Sequence, residues 1–246
     1  MSTTNTHKGA CGILIKNILF DLDDTLLDFH KAEAIAIEKT LIHFGVEPDN
    51  AIIARYSEIN SQQWRLLEEG KLSRDEVLVQ RFRILFSELG VDCPAEKARE
   101  IYEHNLGIGH YFMDGALELL ESLYLDYNLY LVSNGTTRVQ EPRIESAGIA
   151  KYFKELFISQ KIGVNKPDAA FFEFCFKVIP DFSREETIII GDRLSSDIKG
   201  GNNAGIRTCW FNPNHDSHED GIQVDFEITH LEQVPLLIKS IANTFM

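Results

Sequence analysis

The sequence has no surplus of positive charge, no cysteine cluster and no long apolar run. Lys and Arg number 24 against 38 Asp and Glu, a net charge of −14 over 246 residues. Affinity for polymeric nucleic acid comes largely from Lys and Arg side chains that displace counterions from a phosphate backbone, so this balance argues against such a partner. Any phosphate recognition has to be local. The four cysteines, Cys11, Cys93, Cys175 and Cys209, are scattered, and none forms a CxxC pair or a Cys/His set with zinc spacing. They read as reduced, mostly buried thiols of a cytoplasmic protein. The opening MSTTNTHKGA carries no apolar signal core, and no stretch approaches the length of a membrane span. Internal repeats and low-complexity tracts are absent too.

What is present is a chain that is 44% hydrophobic, enough to bury a full core and more than one compact unit. NILF, residues 17–20, reads as a buried parallel strand. Residues 30–110 then lose strand character. Ile37, Leu41 and Phe44 share one helical face and stop at Gly45; Ile52, Tyr56, Ile59 and Leu66 form the next stripe; Ser73 and Glu76 make an S-x-x-E capping box before Leu78, Phe82, Leu85 and Leu89; a fourth helical stretch follows Pro94. The spacing predicts a four-helix bundle inserted into the chain. After Gly115 helices and strands alternate, which predicts a parallel sheet with strands at 128–133, 156–159, 187–191, 206–211 and 224–228. Helices are expected at 116–125, 138–147, after Pro167, at 196–204 and from Leu231 onward.

The chemistry concentrates at strand ends. At the end of the first strand the polarity switches to Asp21, Asp23, Asp24 and Thr25. In an open α/β sheet that edge is where ligands bind, and carboxylates spaced i, i+2 there repel unless a cation or a division of labour keeps them. Hydrolysis of a phosphate monoester needs a nucleophile, a proton donor for the leaving oxygen and positive charge around the phosphate. Asp21 could attack phosphorus, Asp23 could protonate the leaving group, and Mg²⁺ could neutralise Asp21 and the phosphate. Standing alone, DxDxT is an acidic turn as readily as a site. LVSNG, residues 131–135, offers the Ser133 hydroxyl and the main-chain N–H groups of Asn134 and Gly135 to phosphoryl oxygens, though by itself it fits an ordinary turn better. GVNKPD places Lys166 on a loop before a helix, where it could neutralise a phosphate or Asp21; a lone lysine before proline is usually solvated. IIIGDRLSSD, residues 188–197, is hard to explain as packing: Asp192 suits Mg²⁺ as a hard oxygen ligand, and Asp197 could orient metal-bound water or Lys166.

These four stations, in this order and each at a strand end, make nearly the whole chain resemble the haloacid dehalogenase (HAD) superfamily. The resemblance implies a Rossmann-like α/β core, residues 1–28 and 114–246, with strand order 5-4-1-2-3, and a mobile all-helical cap, residues 29–113. It implies Asp21 as nucleophile, Asp23 as general acid and base, Ser133 and Lys166 as phosphate ligands, and Asp192 with the Asp23 main-chain carbonyl as Mg²⁺ ligands. Thr25 and Asp197 support the site. The second aspartate, Asp23, argues for a phosphate ester over a haloacid. DLDDTLLDF, residues 64–73 and GGNNAGIRTCWFN look closest to the bacterial pyrimidine 5′-nucleotidases, which implies a small phosphorylated metabolite, a nucleoside monophosphate, as partner. A sugar-phosphate phosphatase or phosphomutase shares the same catalytic residues, and a non-catalytic ligand-binding protein could use the same fold. Trp64 and Phe29 could stack on a base, yet aromatics on helix stripes are more often core. Arg193, directly after Asp192, departs from the smaller residues familiar there; it could touch substrate, but reads rather as one half of a surface ion pair.

Overall fold

A computed structural model of the chain describes residues 14–218 and 221–243. The readings of Cys11 and of the N-terminal MSTTNTHKGA lie outside them. In chain order the elements are β1 (Asn17–Phe20), α1 (Phe29–His43), α2 (Asn50–Glu68), α3 (Arg74–Leu89), α4 (Ala95–Gly107), α5 (Ala116–Leu123), β2 (Asn128–Ser133), α6 (Thr137–Ser146), β3 (Glu155–Ile158), α7 (Ser159–Ile162), α8 (Ala169–Val178), β4 (Thr187–Gly191), α9 (Lys199–Ala204), β5 (Arg207–Phe211), β6 (Phe226–Ile228) and α10 (Val234–Asn243).

The strands read as near-continuous apolar runs because both faces of the sheet are covered. Ile18 and Phe20 of β1, Leu129 and Leu131 of β2, and Ile188 and Ile190 of β4 point to one side, where they pack with Leu119 and Leu120 of α5 and Ile238 of α10. The intervening Leu19, Tyr130, Val132 and Ile189 point to the other, against Phe171, Phe172 and Cys175 of α8. All pairings are parallel, in the order β3-β2-β1-β4-β5-β6. That is the expected order with β6 added beyond β5. The chain order reverses between β2 and β4, on either side of β1, so the crevice at the carboxyl end of β1 is the ligand position for a sheet of this kind.

Several boundaries differ from the sequence expectation: those of α5, α6, β5 and β6 shift by one or two residues, and β3 and the helix after β4 differ more in character. β3 begins at Glu155, where its register with Tyr130 sets in, and ends before Ser159, which opens α7. The helix expected at 196–204 starts instead as a wider π turn, Leu194–Ile198, that runs into α9. Such π turns concentrate at functional sites.

Helices α1 to α4 have their own core, with Tyr56, Phe82 and Tyr102 packed ring to ring at 5.3 to 5.5 Å between centroids. Their ends follow local signals. Asp28 and Asp49 accept from the main-chain N–H groups of Lys31 and Ile52 at 2.8 Å, and the Ser73/Glu76 capping box is present. Gly90 closes α3 at φ 65°, a left-handed conformation that favours glycine. The bundle touches the sheet part through α4, which packs on α6, and Val139 of α6 joins its core. The two chain crossings run side by side: Leu27 bridges Phe112, Asp28 N–H donates to Tyr111 O at 2.8 Å, and Met113 N–H donates to Leu26 O at 3.0 Å. No described helix is long and apolar enough to cross a membrane.

Candidate active site

All four motifs named from the sequence open onto one cleft between the sheet and the helical insert, lined among others by Asp21, Asp23, Ser133, Asn134, Lys166, Asp192 and Asp197; three stand at strand ends, and Lys166 lies beyond α7, on the loop before α8. At its centre Lys166, only 1% exposed, donates from Nζ to Asp21 Oδ1 at 2.6 Å, to Asp197 Oδ1 at 2.6 Å and to the Val132 carbonyl at 2.8 Å. Each ammonium proton has an acceptor. The lysine is therefore not a solvated loop residue, and its backbone is fixed as well: Asn134 Oδ1 accepts from Lys166 N–H and Asn134 Nδ2 donates to Lys166 O, both at 2.8 Å. The Asn134 side chain thus serves the lysine, which leaves its main chain to face a phosphate.

Burial alone would depress the Lys166 ammonium, but the charges of Asp197 and Asp21 reverse this and hold it above its ordinary value. Burial pushes the Asp21 carboxyl up to about 7; Lys166 pulls it down, and Asp197 and Asp23 add to the rise. Asp192 is likewise raised well above the carboxylate range, by burial first and then by Asp21, Asp197 and Asp24. The cleft holds more negative charge than its one buried lysine offsets.

That imbalance is the fit test for a dication. Carboxylate oxygens of Asp21, Asp192 and Asp197 lie within 4.8 Å of one another. Asp197 has no oxygen to spare, because Oδ1 holds Lys166 and Oδ2 accepts from Arg193 N–H at 3.1 Å. Asp192 accepts from Thr25 Oγ1 at 3.0 Å on Oδ1, and Thr25 Oγ1 accepts in turn from Asp192 N–H at 3.1 Å. Asp21 and Asp192 each keep one oxygen without a hydrogen bond among the described residues, as hard oxygen ligands for Mg²⁺ should. Trp210 Nε1 fixes the Asp192 main chain by donating to its carbonyl at 2.7 Å.

Two neighbours of Asp23 escaped the sequence reading. Gln140 and Arg143 stand three residues apart on α6, on its buried face. Gln140 Nε2 donates to Asp23 Oδ2 at 2.6 Å and to Ser133 Oγ at 2.9 Å, while Arg143, fully buried, forms an ion pair with Asp23 Oδ1 and donates from Nε to Gly109 O at 3.0 Å. A polar i, i+3 pair just after LVSNG, where an amphipathic helix should turn an apolar face inward, was the available signal. Gly135 makes room for it, since a Cβ there would stand 2.4 Å from Gln140 Nε2.

Arg193 does pair with an acid, but one at the mouth of the cleft. Its Nη1 lies 3.1 Å from Glu68 Oε1 at the end of α2, and Ser195 Oγ donates to Glu68 Oε2 at 3.1 Å. The arginine is half exposed, and the glutamate is largely covered. Trp64 and Phe29 both line the cleft.

Gly191, the residue before Asp192, is a packing requirement of this site. A Cβ there would fall 2.4 Å from Asp197 Cγ and 2.5 Å from Oδ2. Gly191→Ala should therefore displace Asp197 from Lys166 and lower kcat at least ~10-fold, in the range of misplaced catalytic groups. The check is kcat alongside thermal unfolding; unchanged kcat would show that Asp197 moves without consequence.

Comparison with known proteins places the chain in a family. The family model of haloacid dehalogenase-like hydrolases matches residues 18–211. The chain is 40% identical to the pyrimidine 5′-nucleotidase PynA of Streptococcus pneumoniae, over 87% of this chain and 90% of that protein. It is 26% identical to the pyrimidine 5′-nucleotidase YjjG of Escherichia coli, over 90% and 96%. Among solved structures, magnesium-bound YfnB of Bacillus subtilis superposes with a TM-score of 0.88 at 39% identity, covering 92% of this chain and 99% of that one; its crystal form is described as revealing interdomain movement.

Proposed function

The chain belongs to the haloacid dehalogenase-like hydrolases, and from that premise we propose that it is a cytoplasmic, Mg²⁺-dependent phosphomonoesterase that works through an aspartyl-phosphate on Asp21 and acts on pyrimidine nucleoside 5′-monophosphates. The observation that carries the reading is the position of Asp21. It stands at the carboxyl end of the central strand, one oxygen held 2.6 Å from the Lys166 ammonium, with Asp23 two residues on in the same cleft.

Lys166 points one oxygen of Asp21 away from the cleft and leaves the other to attack phosphorus. The Gly135 N–H donates to Ser133 Oγ at 3.1 Å and is engaged within the turn, so the Ser133 hydroxyl and the Asn134 N–H receive the phosphoryl oxygens. Asp23, oriented by Gln140 and Arg143, gives a proton to the leaving alkoxide and later takes one from the water that cleaves the phospho-aspartate. Asp21, Asp192 and the Asp23 main-chain carbonyl would hold the metal. When bound, Mg²⁺ neutralises the nucleophile and the phosphate and makes the phosphorus more electrophilic.

Residues 29–113 act as a cap on a core formed by 1–28 and 114–246. The paired crossings at Leu27 and Phe112 are its hinge, and the Glu68 contacts with Arg193 and Ser195, with those of Arg74 to Gly135 O, Ser159 Oγ and Asn165 Oδ1, are among what opening breaks. The name pyrimidine 5′-nucleotidase borne by two relatives, together with a cleft lined by Trp64 and Phe29, supports the nucleotide assignment. Free, buried Cys175 and Cys209 suit a reducing compartment.

One panel tests the whole reading: phosphate release from nucleoside monophosphates and sugar phosphates, with Mg²⁺ and with chelator. Pyrimidine nucleotides should turn over fastest, chelator should abolish activity and Mg²⁺ should restore it. Faster cleavage of sugar phosphates would overturn the substrate, and full turnover without metal would overturn the mechanism.

A further inference from the structure

The catalytic groups occupy the sheet side of the cleft, but its far wall on the insert also carries polar groups that no step above uses. On that wall Trp64, Leu78 and Leu106 stand among the polar side chains of Asn60, Ser61, Arg81 and Glu103. Both charged side chains are all but sealed from solvent in the described structure, Arg81 2% and Glu103 1% exposed. Charges buried so deeply are normally paired, and neither of these is fully satisfied.

Arg81 has no carboxylate within ion-pair distance among the described residues. Its Nη1 donates to Asn60 Oδ1 at 2.8 Å, and Asn60 Nδ2 donates to Glu33 Oε1 at 2.7 Å, so a buried relay fixes the guanidinium. Nε reaches the Leu78 carbonyl at 3.4 Å, and the group lies over the rings of Tyr102 and Phe82 at 4.7 and 5.1 Å. Nη2 makes no hydrogen bond among the described residues. Glu103 is the complement: Oε1 accepts from Arg99 Nε at 2.9 Å, while Oε2 is buried without a hydrogen bond and stands 3.8 Å from Arg138 Nε. The wall therefore carries one anchored guanidinium and one carboxylate oxygen without a hydrogen bond, on the same cleft lining as Trp64.

We propose that Arg81 and Glu103 are specificity-determining residues that read the imide edge of a pyrimidine base, with Arg81 donating to a ring carbonyl and Glu103 Oε2 accepting from the ring N3–H. This rests on the nucleotidase reading above and assigns the base subsite within it. The chemistry follows from the donor set. An imide presents a carbonyl and an N–H side by side, matching a guanidinium and a carboxylate in one contact. A ring that lacks the N–H leaves a buried carboxylate oxygen unpaired, and sites built to hydrogen-bond a group discriminate strongly against analogues that lack it. Trp64 supplies a flat apolar face for the same ring.

The test uses the full chain with Mg²⁺ and three esters: UMP, N3-methyl-UMP and ribose 5-phosphate. Methylation puts a methyl group in place of the N3–H and leaves the rest of the ester unchanged, so kcat/KM should fall at least about 10- to 100-fold from UMP to its methyl analogue, the range of one charge-assisted hydrogen bond. In Glu103→Ala the two should become alike, and in Arg81→Met the UMP to ribose 5-phosphate ratio should shrink by a similar factor. Equal cleavage of UMP and N3-methyl-UMP by the unaltered protein would overturn the seat, a result that needs no variant to fold. If UMP is untouched while other phosphate esters are cleaved, the nucleotidase reading fails instead, so the two failures are told apart.

Discussion

An Asp21→Asn protein should release no phosphate from any ester and should never carry a phosphoryl group. The substitution removes the anionic oxygen that attacks phosphorus. Asp23→Asn should fail differently. It keeps the nucleophile, and the amide oxygen can still accept from Arg143, so Asp21 and Lys166 should stay where they are. What it loses is proton transfer, which typically contributes ~10²- to 10⁴-fold. An aryl phosphate expels a good leaving group and needs little proton donation in the first step. With such a substrate the Asp23→Asn protein should become phosphorylated and then hydrolyse slowly, because no group takes the proton of the attacking water. Mass spectrometry after rapid quenching decides the matter by locating an adduct on the peptide that contains Asp21. An adduct on another residue, or an active Asp21→Asn protein, would show that the nucleophile is misassigned.

What the sequence revealed of this site was its strand ends. A parallel strand between two helical layers has to be apolar on both faces, so the switch from NILF to DLDDT stands out, as does the switch from TIIIG to DRLSSD. The candidate chemistry follows from those switches, whereas the strand order came from the family resemblance; the capping box and Gly90 marked α3 for equally local reasons. Lys166 was harder to judge, because its low exposure comes from Val132, Asp21 and Asp197, which are remote in sequence. Gln140 and Arg143 were missed for a related reason. A helix that packs polar groups against a catalytic carboxylate has no clean apolar stripe, so its signal is a disturbance of periodicity and not a motif. The Arg193 partner lay further still from view. Glu68 sits on the insert, 125 residues away in sequence, and only the packing of insert against sheet brings the two together. The sequence reads Asp192 as the metal ligand and Asp197 as its support, and the engagement of both Asp197 oxygens, by Lys166 and by Arg193 N–H, is a difference that the spacing of the acids does not carry.

Replacing Lys166 by Met should abolish turnover and destabilise the fold, and the manner of destabilisation identifies the lysine as the counter-charge of the site. Methionine fills nearly the same volume, so the cavity contribution is small. The substitution leaves Asp21 and Asp197 buried beside each other with their shared cation gone. Breaking a buried pair by removing one partner costs about 3–5 kcal/mol, because the remaining charge is uncompensated. The pH dependence carries a sign. Asp21 is raised from 3.8 to about 7 in the folded chain, so between about pH 4 and pH 7 the unfolded chain has released a proton that the folded chain still binds. Stability attributable to this carboxyl therefore falls as pH rises through that window and levels off above it. Without Lys166 the folded Asp21 moves higher still, so in chelator the variant should go on losing stability above pH 7 where the parent has levelled off. Adding Asp197→Asn to Lys166→Met removes one of the stranded charges and should recover part of the loss, giving a non-additive cycle of the kind that marks direct contact. Denaturant unfolding of the four proteins at pH 6 and pH 8 provides the measurement. Additive losses that do not change with pH would mean that Lys166 stabilises by packing alone and that Asp21 keeps its ionisation by other means.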